Sequence, residues 1–167
     1  MRKFRTTFSI RNEKGQSLVE VLIALMIVAL VLTTVAVAVI LAIRSSRFSQ
    51  HKARATFLAQ EGAEWVRNQR SVLGWDGFLD KGGVTATTYC INALTFDQLG
   101  ECPQGDLIDG EYAREVTITL GAPEPPPPDP TSKVRTTDVN VTVFWEEGAK
   151  EFSAEVETKL TMWDISN

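Results

Sequence analysis

Three hydropathy patterns follow one another along the chain. From Leu18 to Ile43 the residues are apolar on every side, and one alone, Glu20, is ionisable. A run of this length predicts a helix that can span a bilayer, for which roughly 20 residues suffice. From Arg44 to Val72 the pattern becomes that of an amphipathic helix: Phe48, Ala55, Leu58, Ala59, Gly62, Trp65, Val66 and Val72 form one stripe, while Arg47, Lys52, Arg54, Glu61, Glu64, Arg67 and Arg70 take much of the remainder. No proline occurs before Pro103, so one helix is expected from Gln16 to about Val72. The last third alternates with period two. Tyr112, Val116, Ile118 and Leu120 share one side of a first strand, Val139, Val141, Val143 and Trp145 of a second, and Phe152, Ala154, Val156, Leu160 and Met162 of a third. Alternation over three segments predicts an antiparallel meander with one face buried, and Glu146-Glu147-Gly148-Ala149 marks a hairpin between the last two.

Between helix and meander the pattern weakens. Gly74-Trp75-Asp76-Gly77 ends the helical period, and residues up to about Gly110 read as an irregular connection, with turn signals at Lys81-Gly82-Gly83 and Pro103-Gln104-Gly105-Asp106 and short strand possibilities around Val84 to Cys90. Residues 121–130 contain six prolines. Proline lacks the N–H that a ladder needs, so this stretch is expected to leave the sheet as a stiff loop, a spacer more readily than a ligand for an aromatic groove. The fold class that follows is α+β: a long N-terminal helix packed on a small three- to four-stranded antiparallel sheet. Thr33 and Thr34 are expected to bond back to the helix backbone. His51 and Trp65 read as surface and packing residues.

Composition narrows the function. The chain has 167 residues and a formal net charge of -4, and an acidic domain does not present the basic patch of a nucleic-acid binder. There is one histidine, no glycine-rich phosphate loop after a strand and no serine beside a plausible base, so no catalytic set and no cofactor are expected. Cys90 and Cys102, with eleven residues between them, suit one disulfide in an oxidising compartment, two free thiols being the alternative. Zinc lacks ligands, because His51 is far from both cysteines. Asp106, Asp109 and Glu111 lie close in sequence but match no EF-hand loop, which favours solvated turn acids over a calcium site. The sequon Asn140-Val141-Thr142 falls inside a strand and is discounted.

The N-terminus carries the most specific signal. Arg2, Lys3, Arg5, Arg11, Glu13 and Lys14 precede Gly15-Gln16-Ser17-Leu18-Val19-Glu20 and the apolar run. A secretory signal has a core of only about 7 to 15 apolar residues, and a plain anchor has no reason to set a glycine and an acid five residues apart at its edge. This order and spacing resembles the processing site of type IV prepilins and of the pseudopilins of type II secretion. The resemblance covers the N-terminal third directly; helix, loop and antiparallel strands also follow the order of a pilin head.

The resemblance implies that a prepilin peptidase cuts after Gly15, that the new terminal amine on Gln16 is methylated, and that Glu20 accepts the terminal amine of a neighbouring subunit. Members of the family most often begin with Phe, whereas this mature chain would begin with Gln16, whose amine can be lost by cyclisation to a lactam. Cleavage therefore carries over further than methylation. Removing residues 1–15 takes away five positive charges and one negative charge, leaving the mature chain near -8. The implied organisation is a cytoplasmic leader (1–15), a transmembrane and filament-core helix (16–43), an amphipathic continuation (44–73) and an extracytoplasmic head (74–167) bearing the disulfide loop and the proline-rich loop 121–130. The implied function is that of a minor pilin or pseudopilin. Its partners would be other pilin-like subunits, the peptidase, an inner-membrane assembly platform and membrane lipid, with no nucleic acid. The alternative is a single-pass, membrane-anchored surface-binding module that does not polymerise.

Overall fold

A computed structural model describes residues 16–125 and 133–162, with side chains from Leu18 onward. The chain divides into two units, residues 1–46 and 47–167. Helix α1, Gln16–Leu79, enters both. Its portion in the first unit is apolar and bare: Leu18 is 64 % exposed, Met26 71 % and Leu30 66 %. It is long and apolar enough to cross a membrane. The Thr33 and Thr34 hydroxyls donate to the Leu30 and Val31 carbonyls at 2.9 and 2.8 Å, replacing the hydration those groups lose among apolar neighbours.

The second unit is an α+β head. Strands β1 (Thr87–Cys90), β2 (Gln98–Leu99), β3 (Tyr112–Leu120), β6 (Thr136–Glu147) and β7 (Lys150–Thr161) form an antiparallel sheet in the order β2-β1-β3-β6-β7, while β4 (Pro123–Glu124) and β5 (Lys133–Val134) make a two-stranded ribbon beside it. The period-two positions set the register: Tyr112 lies opposite Trp145 and Val116 opposite Val141, and Val143 lies opposite Ala154. One face of the sheet thus presents Val116, Ile118, Val139, Val141 and Val143, each 0–1 % exposed, to Ala55, Leu58, Ala59, Ala63 and Val66 of α1. Small alanines let the helix backbone come close to the β-branched surface, which is the packing that the stripe encodes.

Three expectations need correction. The sheet has five strands rather than three or four: β1 falls within the short strand possibilities around Val84 to Cys90, and β2 is added from the stretch that reads as irregular. β2 has only two residues, too short to show a period, and β1 is half-buried at Thr87 and Thr88 and fully buried at Tyr89 and Cys90. The helical backbone breaks at Gly74, where the pattern is expected to end, but a further helical turn follows it. Gly74 departs from helical geometry at φ 72° and ψ 173°, a conformation that glycine adopts without Cβ strain, and the helix then resumes to Leu79. That extra turn seats Phe78, 0 % exposed, in the core. Finally, Val72 is 69 % exposed: six residues beyond Val66 is about 240° around a helix of 3.6 residues per turn, off the buried stripe. Residues 126–130 of the proline-rich loop lie outside the described residues.

Candidate functional site: the N-terminal segment and the base of the head

Glu20 lies in the second turn of α1, exposed, on a helix whose described side chains from Leu18 to Ile43 are all exposed. An acid at the edge of an apolar span costs less than one at its centre, where insertion scales give about 2.5 to 3.5 kcal/mol, yet it still calls for a cationic partner. Gly15, and the side chain of Gln16, lie outside the described residues. α1 begins at Gln16.

In the head, Cys90 and Cys102 are joined by a disulfide. It holds the segment after β1 against β3, and the Cys102 N–H donates to Glu115 Oε1 at 2.8 Å. Burial pushes the Glu115 carboxyl above the ordinary carboxylate range; the Cys102 N–H opposes this, and Glu101 and Glu151 add to it. The folded head therefore holds this proton more tightly than the unfolded chain. Its contribution is favourable at acid pH and is lost as pH rises through the shifted value. Glu115→Gln, which keeps the acceptor oxygen, is expected to raise the melting temperature at pH 7 by a few degrees and to leave it unchanged near pH 4, as read from thermal scans at the two pH values.

The acids of the following turn do not gather. Asp109 is engaged by Arg54 at 2.7 Å, Glu111 faces His51 Nδ1 at 3.5 Å, and Asp106 offers its backbone carbonyl to Asn92 Nδ2 at 2.6 Å. Among the described residues no group of three or more acids, histidines or cysteines is placed to hold a metal ion. His51 is more than a surface residue: its Nδ1 is 2.8 Å from the Tyr112 hydroxyl, so it ties α1 to the start of β3. Burial, with Glu111 adding, pushes the Tyr112 phenol up.

The polar centre of the head is a residue that sequence reasoning passed over. Arg114 is 2 % exposed on the core face of β3. Its guanidinium donates to the carbonyls of Leu58 (3.0 Å), Ile91 (3.2 Å) and Asn92 (3.3 Å) and to Glu61 Oε2 (2.7 Å). Its backbone N–H donates to Asn92 Oδ1 at 2.7 Å. A planar fork with five N–H groups can bind helix, strand and loop at once, which a lysine cannot. Gly62 makes the room: a Cβ there would stand 3.0 Å from Arg114 Cδ and 2.9 Å from Val141 Cγ1. The available signal was an arginine two residues after Tyr112 and two before Val116, the inward phase of the strand.

Residues 10–36 match the family model described as the prokaryotic N-terminal methylation motif. No curated protein and no solved structure matches the chain. The matched stretch contains Gly15, Gln16 and Glu20 and enters the bare apolar portion of α1. The chain carries the N-terminal signal of type IV prepilins and pseudopilins, set on a pilin-like α+β fold.

Proposed function

We propose that the protein is a structural subunit, a minor pilin or pseudopilin, of a filament of the type IV pilus or type II secretion kind. The reading rests on the methylation motif at residues 10–36 with Glu20 as the lone ionisable residue of the apolar run. The precursor inserts with residues 1–15 on the cytoplasmic side, and prepilin peptidase cuts after Gly15. The freed amine of Gln16, with a reference pKa near 8, is mostly cationic at pH 7, and methylation keeps that charge. Next to Glu20 of another subunit, in a medium of low dielectric, each charge offsets the desolvation of the other. The apolar surface from Val21 to Ile43, bare in a single copy, passes from lipid to sister helices as the subunit leaves the membrane. An extracytoplasmic head is supported by the disulfide, which persists in oxidising compartments.

Intact mass tests the first step. The protein recovered from cells is expected to lack residues 1–15, plus one methyl group if the amine is modified or minus ammonia if Gln16 has cyclised. Gly15→Ala is expected to leave at least nine tenths of the protein at precursor mass. A wild-type protein that still begins at Met1 removes the basis for this function and leaves a plain membrane-anchored module.

A further inference from the structure

β7 is an outer strand of the five-stranded sheet: β6 pairs with it along one side, and among the described residues no strand pairs with the other. At 12 residues it is long for an open edge, which natural proteins keep short or covered. In an antiparallel pair, successive residues alternate between exchanging both backbone hydrogen bonds with the partner and turning them away. The phase is set where the Met162 N–H donates to the Arg135 carbonyl at 2.8 Å, and the register is unbroken from Thr161 back to Lys150. Even-numbered residues of β7 therefore bond to β6, and odd-numbered ones aim their N–H and C=O outward. Thr161 agrees with this phase, since its carbonyl accepts from the Arg70 guanidinium. Arg67 donates to the Thr158 hydroxyl at 3.0 Å, so side chains of α1 occupy that end of the strand. From Glu151 to Glu157 no described group takes the outward N–H and C=O of Glu151, Ser153, Glu155 and Glu157.

The two sides of this row of amides differ in chemistry. On the inner side Phe152 and Val156 stay half-buried, whereas Val139, Val141 and Val143 of β6 are 0–1 % exposed. The apolar face thus continues to the edge and ends there uncovered. On the outer side Glu151, Glu155 and Glu157 are exposed; Glu155 accepts from the Asn140 amide, and the neighbouring cation Lys159 is held by Asp138 at 3.2 Å. Glu146 stands directly opposite Glu151, a like-charge pair that destabilises a sheet unless a cation lies beside it. We propose that the open stretch of β7 receives an extended segment of another protein in which basic and apolar residues alternate. Its amides pair with the outward residues, its apolar side chains extend the strip of Phe152 and Val156, and its cations face Glu151, Glu155 and Glu157.

A second copy of β7 is a poorer occupant. Any symmetric antiparallel register that overlaps most of the strand sets Glu155 or Glu157 against itself, Glu155 against Glu157, or Glu151 against Glu157, and like charges directly opposite repel. A basic strand meets no such clash. The inference goes beyond the filament reading and does not require assembly.

A fluorescein-labelled peptide of about nine alternating lysine and valine residues is titrated into detergent-solubilised full-length protein and followed by anisotropy; saturable binding is expected. Ser153→Pro removes an N–H that points away from β6, so the head should melt within a few degrees of wild type while binding weakens about tenfold or more. A second change acts on the peptide and leaves the protein untouched. Opposite the odd-numbered residues of β7 stand the lysines, whose amides face the edge; N-methylation at lysine positions is expected to abolish binding, and at valine positions to leave it. Glu151→Gln, Glu155→Gln and Glu157→Gln combined should weaken binding about tenfold. Binding indifferent to both Ser153→Pro and lysine N-methylation is attraction of charge alone and overturns the proposal, as does the absence of saturable binding. Self-association of the wild-type protein that Ser153→Pro abolishes, read by analytical ultracentrifugation, would place a second copy on the edge and overturn the proposed occupant.

Discussion

Glu20→Ala is expected to leave the protein in the membrane at its usual abundance and to remove it from sheared surface fibres. The apolar run is untouched by the change, and an extra alanine favours insertion, so the anchor survives. What disappears, on the function proposed above, is the carboxylate that would be offered to the next subunit's amine. Removing one member of a desolvated ion pair strands the other and costs about 3 to 5 kcal/mol, a weakening of a hundredfold or more at each contact. Glu20→Gln should behave in the same way, since it keeps the shape and loses the charge. Quantitative blotting of the sheared and membrane fractions measures both. A substituted protein that enters fibres at the wild-type level would show that amine and carboxylate do not meet, and that the subunit is held by its apolar surface alone.

Arg114→Ala is expected to be the most damaging change in the head. The substitution leaves the Leu58, Ile91 and Asn92 carbonyls and the Glu61 carboxylate without the donor they now share, and it opens a void beside Gly62. Glu61 is exposed and can be rehydrated, but each buried carbonyl left without its donor costs about 1 to 3 kcal/mol, against a total stability of about 5 to 15 kcal/mol for a domain. Denaturant unfolding of the detergent-solubilised protein, followed by tryptophan fluorescence, should show the midpoint falling without a change in slope. Arg114→Lys recovers only part of the loss, because an ammonium cannot span the same acceptors in one plane. A loss below 1 kcal/mol for Arg114→Ala would mean that water takes the place of the guanidinium, and that the cluster does not hold helix to sheet.

The parts of this fold that read directly from sequence are those in which one periodic pattern persists long enough to be seen. β3, β6 and β7 alternate over nine, twelve and twelve residues, and their inward positions are buried in β6 and in β3 up to Ile118, and buried or half-buried in β7. The stripe of α1 is equally plain from Ala55 to Val66. β1 was legible only as a short strand possibility around Val84 to Cys90, and β2 escaped, because short strands stitched in by long-range pairing carry no period of their own; Tyr89 meets Val116 and Cys90 meets Glu115 only after the chain has turned back. Arg114 escaped for another reason. Its strand position is inward, but an arginine pointing inward is legible only once its carbonyl partners, which come from α1 and from the turn at Ile91 and Asn92, are known. The N-terminal signal is the opposite case, a local order of Gly15, Gln16 and Glu20 that needs no tertiary context.

The bond between Cys90 and Cys102 also orders events in time. Thiols stay reduced in a compartment kept reducing, so with the head extracytoplasmic as proposed, the loop from Ile91 to Glu101 is expected to be fastened to β3 only after the head has left that compartment. The apolar rod can insert before that, whereas a finished head has to wait for an oxidant. On the function proposed above, the supply of competent subunits is expected to follow the cell's thiol-oxidising capacity, and a shortage there to leave unfastened heads open to proteolysis at the very loop that the bond secures.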